Sequence, residues 1–279
     1  MSAKHGRRLL GGIVWHGVML IVCAFVLIPI VMVVLGSFKT VDQFFDRPYG
    51  LPESFDFFNY RKAWDEANIQ SSLRNSVIAT VCGVFFSTVF ACLASYGLAR
   101  FRFRGRLGLR LLFVGGLVVP VQLIILPIFI MFRQIGLLGS LWSLIVVYSV
   151  FGIPLGVLVL TGFFGVLPKD LEDAARIDGA SHLEVFWRIM LPLTRPALAA
   201  VVILNGVWMW NDFFLGFILI NDPDQMTLPV GIMAFRGTYS TEWGLIFASV
   251  TISVLPVVGA YLLLSRQFIA GLTAGSVKG

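Results

Sequence analysis

Long apolar runs are the feature that most restricts how this chain of 279 residues can fold. A transmembrane helix needs about 20 apolar residues to cross roughly 30 Å of hydrocarbon. Six stretches meet that requirement: Gly12–Gly36, Leu73–Ala99, Leu109–Phe132, Leu141–Phe163, Ala197–Ile220 and Gly244–Ser265. Since 58% of the residues are hydrophobic and only 13% are charged, the composition lies outside the range of soluble globular proteins. The sequence therefore predicts an all-α polytopic membrane protein with six transmembrane helices.

The basic residues predict the orientation of these helices. If the amino terminus lies in the cytoplasm, fourteen of the 21 Lys and Arg residues fall on the cytoplasmic side and seven fall outside. The excess is largest in the short connection from Arg100 to Arg110, where the positive-inside rule is most dependable. Six spans then place both termini in the cytoplasm. The net charge of +6 follows from this topology and does not indicate nucleic-acid binding.

One segment, Leu167–Pro196, is far more polar than the rest of the chain. Its charged residues are Asp170, Glu172, Asp173, Arg176, Asp178, Glu184 and Arg188. Such side chains are costly in hydrocarbon, so the segment is expected outside it, on the cytoplasmic side. Pro168 suits the first turn of a helix, and the acidic residues that follow lie where the helix dipole favours anions.

The same segment contains signals for a second helix. Gly179 is expected to end the first helix, and Ser181 with Glu184 has the spacing of a capping box that begins the next. Pro192 and Pro196 are expected to end that second helix, because proline cannot donate a backbone hydrogen bond. The pattern predicts two short helices separated by a glycine.

The two predicted helices present different faces. On the first, one face carries Leu171, Ala174, Ala175 and Asp178, and its alanines permit close approach of a partner. On the second, an apolar stripe carries Leu183, Phe186, Trp187 and Met190, which we expect to pack against this protein's own helices. Periodicity alone favours an ordinary amphipathic cytoplasmic loop that has no partner.

The residues Asp173–Ala180, followed by Phe186, Ile189, Leu191-Pro192 and Pro196, resemble the E-A-A-x-x-x-G motif of ABC importer permeases. The D-G-A form of the motif and the closing residues Gly271–Gly279 resemble the carbohydrate-uptake branch. Within it, the chain is similar to the smaller permease of maltose-type importers. The resemblance covers essentially the whole chain. Asp173 stands at the usual Glu position of the motif and is one methylene shorter.

The resemblance implies a type I ABC importer permease fold and a defined set of partners. The chain would be a single permease domain, residues 1–279, with a core at about 73–265 that includes the coupling segment 167–196, and a cytoplasmic tail at 267–279. Its partners would be a second, non-identical permease, a cytoplasmic ATPase dimer that binds ATP and Mg, an extracytoplasmic solute-binding protein and a sugar substrate. The complex would lie in the cytoplasmic membrane of a bacterium or archaeon, and the chain itself would be no enzyme and bind no cofactor.

The resemblance also implies roles for individual residues. The ATPase-coupling residues would be Asp173, Ala174, Ala175, Asp178, Gly179, Ala180, Phe186 and Pro192. The ATPase-contacting residues of the tail would be Gly271, Gly275 and Lys278. A loop that reaches into the solute-binding protein would include Pro229, Gly231, Met233, Phe235 and Tyr239.

Four residues of the fifth predicted span are candidates for the translocation pathway: Trp208, Trp210, Asn211 and Asp212. A charge near mid-membrane costs roughly 2.5–3.5 kcal/mol, so Asp212 is expected to face a partner or a water-filled cavity. A role in pairing helices remains equally open. The aromatic and amide side chains could contact a sugar, although the resemblance assigns most sugar contacts to the larger permease.

Glycine and proline patterns inside the spans predict how the helices bend and pack. Pro120 and Pro127 in the third span and Pro256 in the sixth are expected to kink their helices. Gly152 and Gly156 have the G-x-x-x-G spacing that allows close helix packing.

Other function classes receive less support from the sequence. An ion-coupled secondary carrier would need several buried ionisable groups, and only Asp212 is clearly placed in a span. A membrane enzyme would need clustered His, Glu or Asp, and the three His residues are scattered, so no metal site is predicted. The chain contains no G-x-x-x-x-G-K-[ST] loop, so we expect no ATP hydrolysis by the chain itself. Among importers, glycerol-phosphate esters or another small polar solute, such as a peptide, an amino acid or phosphate, remain alternative cargoes.

Overall fold

The computed structural model describes residues 2–66, 68–235 and 241–276. Its helices, in chain order, are α1 (Ser2–Gly36), α2 (Val41–Asp46), α3 (Phe58–Glu66), α4 (Ile69–Arg100), α5 (Arg106–Val118), α6 (Val121–Gln134), α7 (Leu141–Val166), α8 (Asp170–Ile177), α9 (His182–Val185), α10 (Leu191–Leu193), α11 (Arg195–Trp210), α12 (Phe214–Leu219), α13 (Leu228–Ile232) and α14 (Trp243–Ser276). A π-helical turn, Phe186–Met190, joins α9 to α10.

Four of the described helices are long and apolar enough to cross a membrane: α1 (from Val14), α4, α7 and α14 (as far as Leu263). Two pairs of shorter helices, each bent at a short break, are also long and apolar enough to cross a membrane when taken together. Helices α5 and α6 meet at 100°, and the helical run His182–Leu193 meets α11 at 76°. If each pair forms one span, the total reaches six. Four of the predicted apolar runs fall on the four long helices, and the runs Leu109–Phe132 and Ala197–Ile220 fall on shorter helices.

The third apolar run is broken rather than kinked. The prediction of one helix over Leu109–Phe132 is wrong, because α5 ends at Val118 and α6 begins at Val121. Pro120 has no backbone N–H, and a proline ring disfavours helical angles in the residue before it. Val119 is accordingly extended, with φ −78° and ψ 113°. Pro127 and Pro256 instead lie inside continuous helices.

The fifth apolar run is also broken. Helix α11 ends at Trp210 and the short helix α12 begins at Phe214, so Ala197–Ile220 is not one helix. The carboxylate of Asp212 accepts hydrogen bonds from the backbone N–H groups of Leu215 and Gly216, each at 3.2 Å. A carboxylate in that position caps the start of a helix. The charge that the sequence placed inside a span therefore lies at the break between two helices.

Contacts divide the chain into two compact units, of which the first comprises Met1–Ile69 and Ile232–Val254. In this unit the ammonium group of Lys39 donates to the backbone oxygens of Arg47 and Pro48, at 2.8 and 3.1 Å. Its side chain is 3% exposed, so these carbonyls replace water around the charge. The ring of Phe44 stacks on Trp243 with 5.4 Å between centroids. The loop after α1 is therefore held by buried contacts.

The second unit comprises Gln70–Gly231 and Leu255–Gly279. Its centre is built where α4 and α7 approach closely: a Cβ added to Gly156 would lie 2.5 Å from the Cβ of Ala91, and one added to Gly152 would lie 2.7 Å from that of Ser87. The amide of Asn205 on α11 donates to the backbone oxygen of Gly152 at 3.1 Å. The close helix packing predicted from G-x-x-x-G spacing is confirmed.

Candidate functional site

The polar segment folds as the two helical pieces that the sequence predicts, and a glycine separates them. Helix α8 ends at Ile177, and Gly179 has a φ of +86°. The N–H of Gly179 donates to Arg176 and that of Ala180 donates to Ala175, both at 3.0 Å. This pattern is a Schellman motif, whose left-handed residue is usually glycine because a Cβ is disfavoured there. The predicted break at Gly179 is confirmed.

The predicted capping box is also present. The hydroxyl of Ser181 accepts from the N–H of Glu184 at 3.3 Å, and the carboxylate of Glu184 accepts from the N–H of Ser181 at 2.9 Å. That backbone hydrogen bond holds the pKa of the Glu184 carboxyl below its usual value. The start of the second helix is therefore fixed by charge-assisted hydrogen bonds outside the apolar spans.

The prediction that Pro192 ends the second helix is wrong. The helical run continues to Leu193, and the N–H of Leu191 donates to the oxygen of Phe186, five residues earlier. A π turn widens the helix and moves away the carbonyl with which a proline ring would otherwise clash. The chain bends instead at Thr194, and Pro196 falls in the first turn of α11. Pro168 precedes α8, whose first residue is Asp170.

An ion pair anchors α8 to the end of a span. The guanidinium Nε of Arg100, the last residue of α4, lies 2.6 Å from Oε1 of Glu172, and the two side chains are 4% and 15% exposed. The contact is a close ion pair rather than a well-aligned hydrogen bond. Arg100 also donates through Nη2 to the backbone oxygen of Leu167 at 2.9 Å. One guanidinium therefore fixes both the approach to α8 and its first turn.

Apolar packing anchors the second helical piece of the polar segment, His182–Leu193. Phe186 and Met190 are buried, and the ring of Phe186 lies 5.1 Å from that of Tyr96 on α4 and 6.3 Å from that of Phe164 on α7. Ala175 and Ala180 pack against the same cluster. The expectation that the second stripe packs against this protein's own helices is confirmed for Phe186 and Met190. It is wrong for Leu183 and Trp187, which are 62% and 50% exposed.

The opposite side of α8 faces outward. We define the α8 outer face as Leu171, Ala174, Ile177 and Asp178, all of which are exposed. Ala175, which the sequence placed on the partner-facing side, turns partly inward instead. The sequence also missed Ile177, which is 87% exposed. An isolated isoleucine between charged residues was the available signal, since large exposed apolar side chains often mark interaction sites.

The four candidate pathway residues separate into two places. Trp208 is 39% exposed, and its ring meets that of Tyr148 edge-on at 5.6 Å. The hydroxyl of Tyr148 donates to Oδ2 of Asp212 at 3.1 Å, and Asn211 is exposed beside them. Trp210 instead lines a cavity of about 900 Å³ whose walls are almost entirely aliphatic and aromatic. The structure therefore groups Trp208 and Asn211 with Asp212, and separates Trp210 from them.

The predicted binding-protein loop begins with a buried helix. The N–H of Leu228 in α13 donates to the hydroxyl of Ser76 at 2.7 Å, and a Cβ on Gly231 would lie 2.6 Å from the hydroxyl of Ser72. Among the five candidate residues, Gly231 and Phe235 are buried, Pro229 is half-buried, Met233 is 40% exposed and Tyr239 lies outside the described residues. The role of this loop stays a prediction.

The predicted tail begins inside a helix. Gly271 and Gly275 belong to α14, which extends to Ser276, and Lys278 lies outside the described residues. Contact of the tail with an ATPase stays a prediction. Within residues 2–66, 68–235 and 241–276, no group of three or more His, Cys, Asp or Glu residues is placed to hold a metal ion.

Comparison with known proteins gives related sequences of similar length. The chain is 35% identical over 251 residues to the probable ABC transporter permease protein YurM of Bacillus subtilis, covering 90% of this chain and 83% of the relative. It is 34% identical over 265 residues to the diacetylchitobiose uptake system permease protein NgcG of Streptomyces coelicolor, covering 94% and 88%. It is 31% identical to the multiple sugar-binding transport system permease protein MsmG of Streptococcus mutans, covering 91% and 92%.

Solved structures share the fold. A chain from the crystal structure of a bacterial ABC transporter that imports the acidic polysaccharide alginate superposes with a TM-score of 0.83 at 23% identity, covering 96% of this chain and 99% of that one. A second chain comes from a bacterial alginate ABC transporter crystallised with an alginate pentasaccharide-bound periplasmic protein. It superposes with a TM-score of 0.59 at 12% identity, covering 94% of this chain and 95% of that one. Residues 83–269 match the family model of binding-protein-dependent transport system inner membrane components. This chain belongs to that family of ABC transporter permeases.

Proposed function

We propose that this chain is one permease subunit of an ATP-driven importer that moves a sugar or oligosaccharide across the cytoplasmic membrane. The observation that carries the proposal is the α8 outer face, which exposes Ile177 and Leu171 while the other side of the same helix is anchored by a buried ion pair. An exposed apolar face on a firmly held helix fits a docking site for a soluble partner. We assign that partner as a cytoplasmic ATPase dimer.

The anchoring supports a mechanical role for the segment. Glu172 joins α8 to the end of α4, and Phe186 packs between α4 and α7. A displacement of α8 by the ATPase would therefore move the ends of these helices as a rigid body, because packed interfaces do not deform continuously. ATP and Mg would bind only to the ATPase, and this chain would contribute no catalytic group.

The sugar assignment rests on the relatives, whose names give diacetylchitobiose and multiple sugars as their cargo. A solute-binding protein would deliver the sugar on the outer side, and a second, non-identical permease would complete the pathway. Glycerol-phosphate esters are the alternative cargo, and their anionic charge would require basic residues along the pathway.

The experiment is purification of the native complex in mild detergent, followed by mass spectrometry. We expect a second permease, an ATPase and a solute-binding protein. Thermal-shift measurements of that binding protein against disaccharides and glycerol-phosphate esters then identify the cargo. A chain that purifies alone and transports solute without ATP would overturn the proposal and favour an ion-coupled carrier.

A further inference from the structure

An exposed amide, that of Asn211, directly follows α11 in the second unit. Helix α11 has 16 residues and rises about 24 Å, which is less than the roughly 30 Å thickness of the hydrocarbon. If α11 begins at the surface of the hydrocarbon, Asn211, the residue after α11, lies within the membrane rather than beyond it. Its side chain is exposed on the surface of this chain. Its Nδ2 donates to the backbone oxygen of Val207 at 2.8 Å, and that bond uses one of the two donors of the amide. A primary amide that faced lipid would lose hydrogen bonds to water without full replacement, so this side must face water or protein.

Trp208 shares that side of the helix. It precedes Asn211 by three residues, the spacing of neighbours on one helical face. Its indole is 39% exposed, whereas Met209 beside it is buried. The surface that must avoid lipid therefore carries a flat aromatic ring next to an amide.

Buried and hydrogen-bonded side chains lie behind this ring. Tyr148, which is 1% exposed, holds the edge of Trp208 and donates its hydroxyl to Asp212. Asp212 in turn caps α12 through the N–H groups of Leu215 and Gly216. The carboxylate is thus occupied by protein donors, and its role is to position the tyrosine that supports Trp208.

The chemistry of the pair fits a pyranose ring. A sugar offers an apolar C–H face that packs on the π face of an indole, and hydroxyls that pair with an amide. We propose that Trp208 and Asn211 form a carbohydrate-contacting subsite on this chain, with Tyr148 and Asp212 as positioning residues. The proposal rests on the proposed function and assigns part of the sugar pathway to this subunit. The cavity beside Trp210 has few polar groups to pair with hydroxyls and does not fit the same ligand.

The test uses the complete transporter reconstituted in proteoliposomes with its binding protein. The wild type is first tested for uptake of maltose, cellobiose, xylobiose and N,N′-diacetylchitobiose. Uptake of a sugar that it transports is then measured over a series of sugar concentrations. Trp208→Ala is expected to raise the half-saturating sugar concentration about tenfold, because the stacking surface is lost. Trp208→Phe is expected to retain most of the affinity, since it keeps a ring. Asn211→Ala is expected to weaken uptake in the same way.

Leu204→Ala is the matched control, because Leu204 lies one turn earlier on α11 and is similarly exposed, at 42%. It is expected to leave the half-saturating concentration unchanged. The proposal is overturned if Trp208→Ala and Asn211→Ala keep the wild-type value, or if Leu204→Ala raises it equally. Wild-type transporter that takes up no sugar bound by its solute-binding protein would overturn the proposed function instead.

A second measurement is needed if the chain with Trp208→Ala does not assemble into the transporter. Trp208→Cys is made in a chain whose Cys23, Cys82 and Cys92 are replaced by alanine, and it is treated with a charged, water-soluble thiol reagent. Modification that the transported sugar slows supports the subsite. Absence of modification, or modification that the sugar does not slow, overturns it.

Discussion

Arg100 and Glu172 join the last residue of α4 to the first turn of α8 through a buried ion pair, with Nε and Oε1 2.6 Å apart. The pair links a membrane span directly to the polar segment. Because both side chains are largely withdrawn from water, removing one partner leaves the other charge without compensation.

Arg100→Ala is therefore expected to destabilise the permease by about 3–5 kcal/mol, the usual cost of breaking a buried pair. The measurement is the midpoint of thermal unfolding of the purified complex. The double variant Arg100→Met, Glu172→Leu should recover much of the loss, because it leaves no unpaired buried charge. An unchanged midpoint for Arg100→Ala would show that the pair carries no stability.

Substitutions at Gly179 are expected to act through backbone strain rather than through steric contact with neighbouring atoms. Its φ is +86°, and a Cβ added there would meet nothing within 4 Å. Most residues other than glycine cost about 1–2 kcal/mol in this conformation, a β-branched residue costs more, and asparagine, which adopts it readily, costs less.

We expect Gly179→Val to uncouple ATP hydrolysis from uptake more than Gly179→Ala does, while Gly179→Asn is nearly neutral. Proteoliposome assays that measure ATP hydrolysis and uptake together would check this order. Equal effects of valine and asparagine would exclude the backbone as the cause.

Ile177 provides a test of docking. It is 87% exposed, so replacing it should not disturb the folded permease, but a charge there would oppose burial by a partner. Ile177→Asp is expected to weaken ATPase binding by about tenfold or more, measured by co-purification at graded ATPase concentrations. Ile177→Leu, which keeps the apolar surface, is the control and should bind normally. Normal binding by Ile177→Asp would place the docking surface elsewhere.

Gly156 provides a test of helix packing within the second unit. Gly156→Ala would bring two Cβ atoms within 2.5 Å of each other, at Ala91, so α4 and α7 must separate. Overpacking of this kind costs about 1–3 kcal/mol. The thermal midpoint should fall, and Ala91→Gly in the same chain should restore part of it. Gly162→Ala in α7 meets nothing within 4 Å and serves as the control. Equal losses at both glycines would contradict the contact.

Local chemistry made several features predictable. Gly179, Ser181 and Glu184 were recognisable because helix ends need a left-handed residue and side-chain acceptors, which few residue types supply. The apolar runs were recognisable because about 20 consecutive apolar residues are enough to cross hydrocarbon. These features depend on neighbours within a few positions in the chain.

Other features depended on distant residues. The π turn at Phe186–Met190 keeps Pro192 inside a helix, and no local rule indicates it. The inward turn of Ala175 and the exposure of Ile177 and Trp187 follow from which side of each helix meets the cluster around Tyr96. Periodicity identifies a face but does not say which face is buried when both contain apolar residues.

The sequence by itself determined that this protein is a helical membrane protein with a polar, glycine-broken segment, since hydropathy, capping and the Gly179 conformation are local properties. Only the tertiary structure decided that two of the apolar runs are divided into separate helices, that Arg100 pairs with Glu172 across 72 positions, and that Trp208 stands apart from Trp210. These relationships arise when distant helices pack together, because the burial of a side chain is set by what lies opposite it.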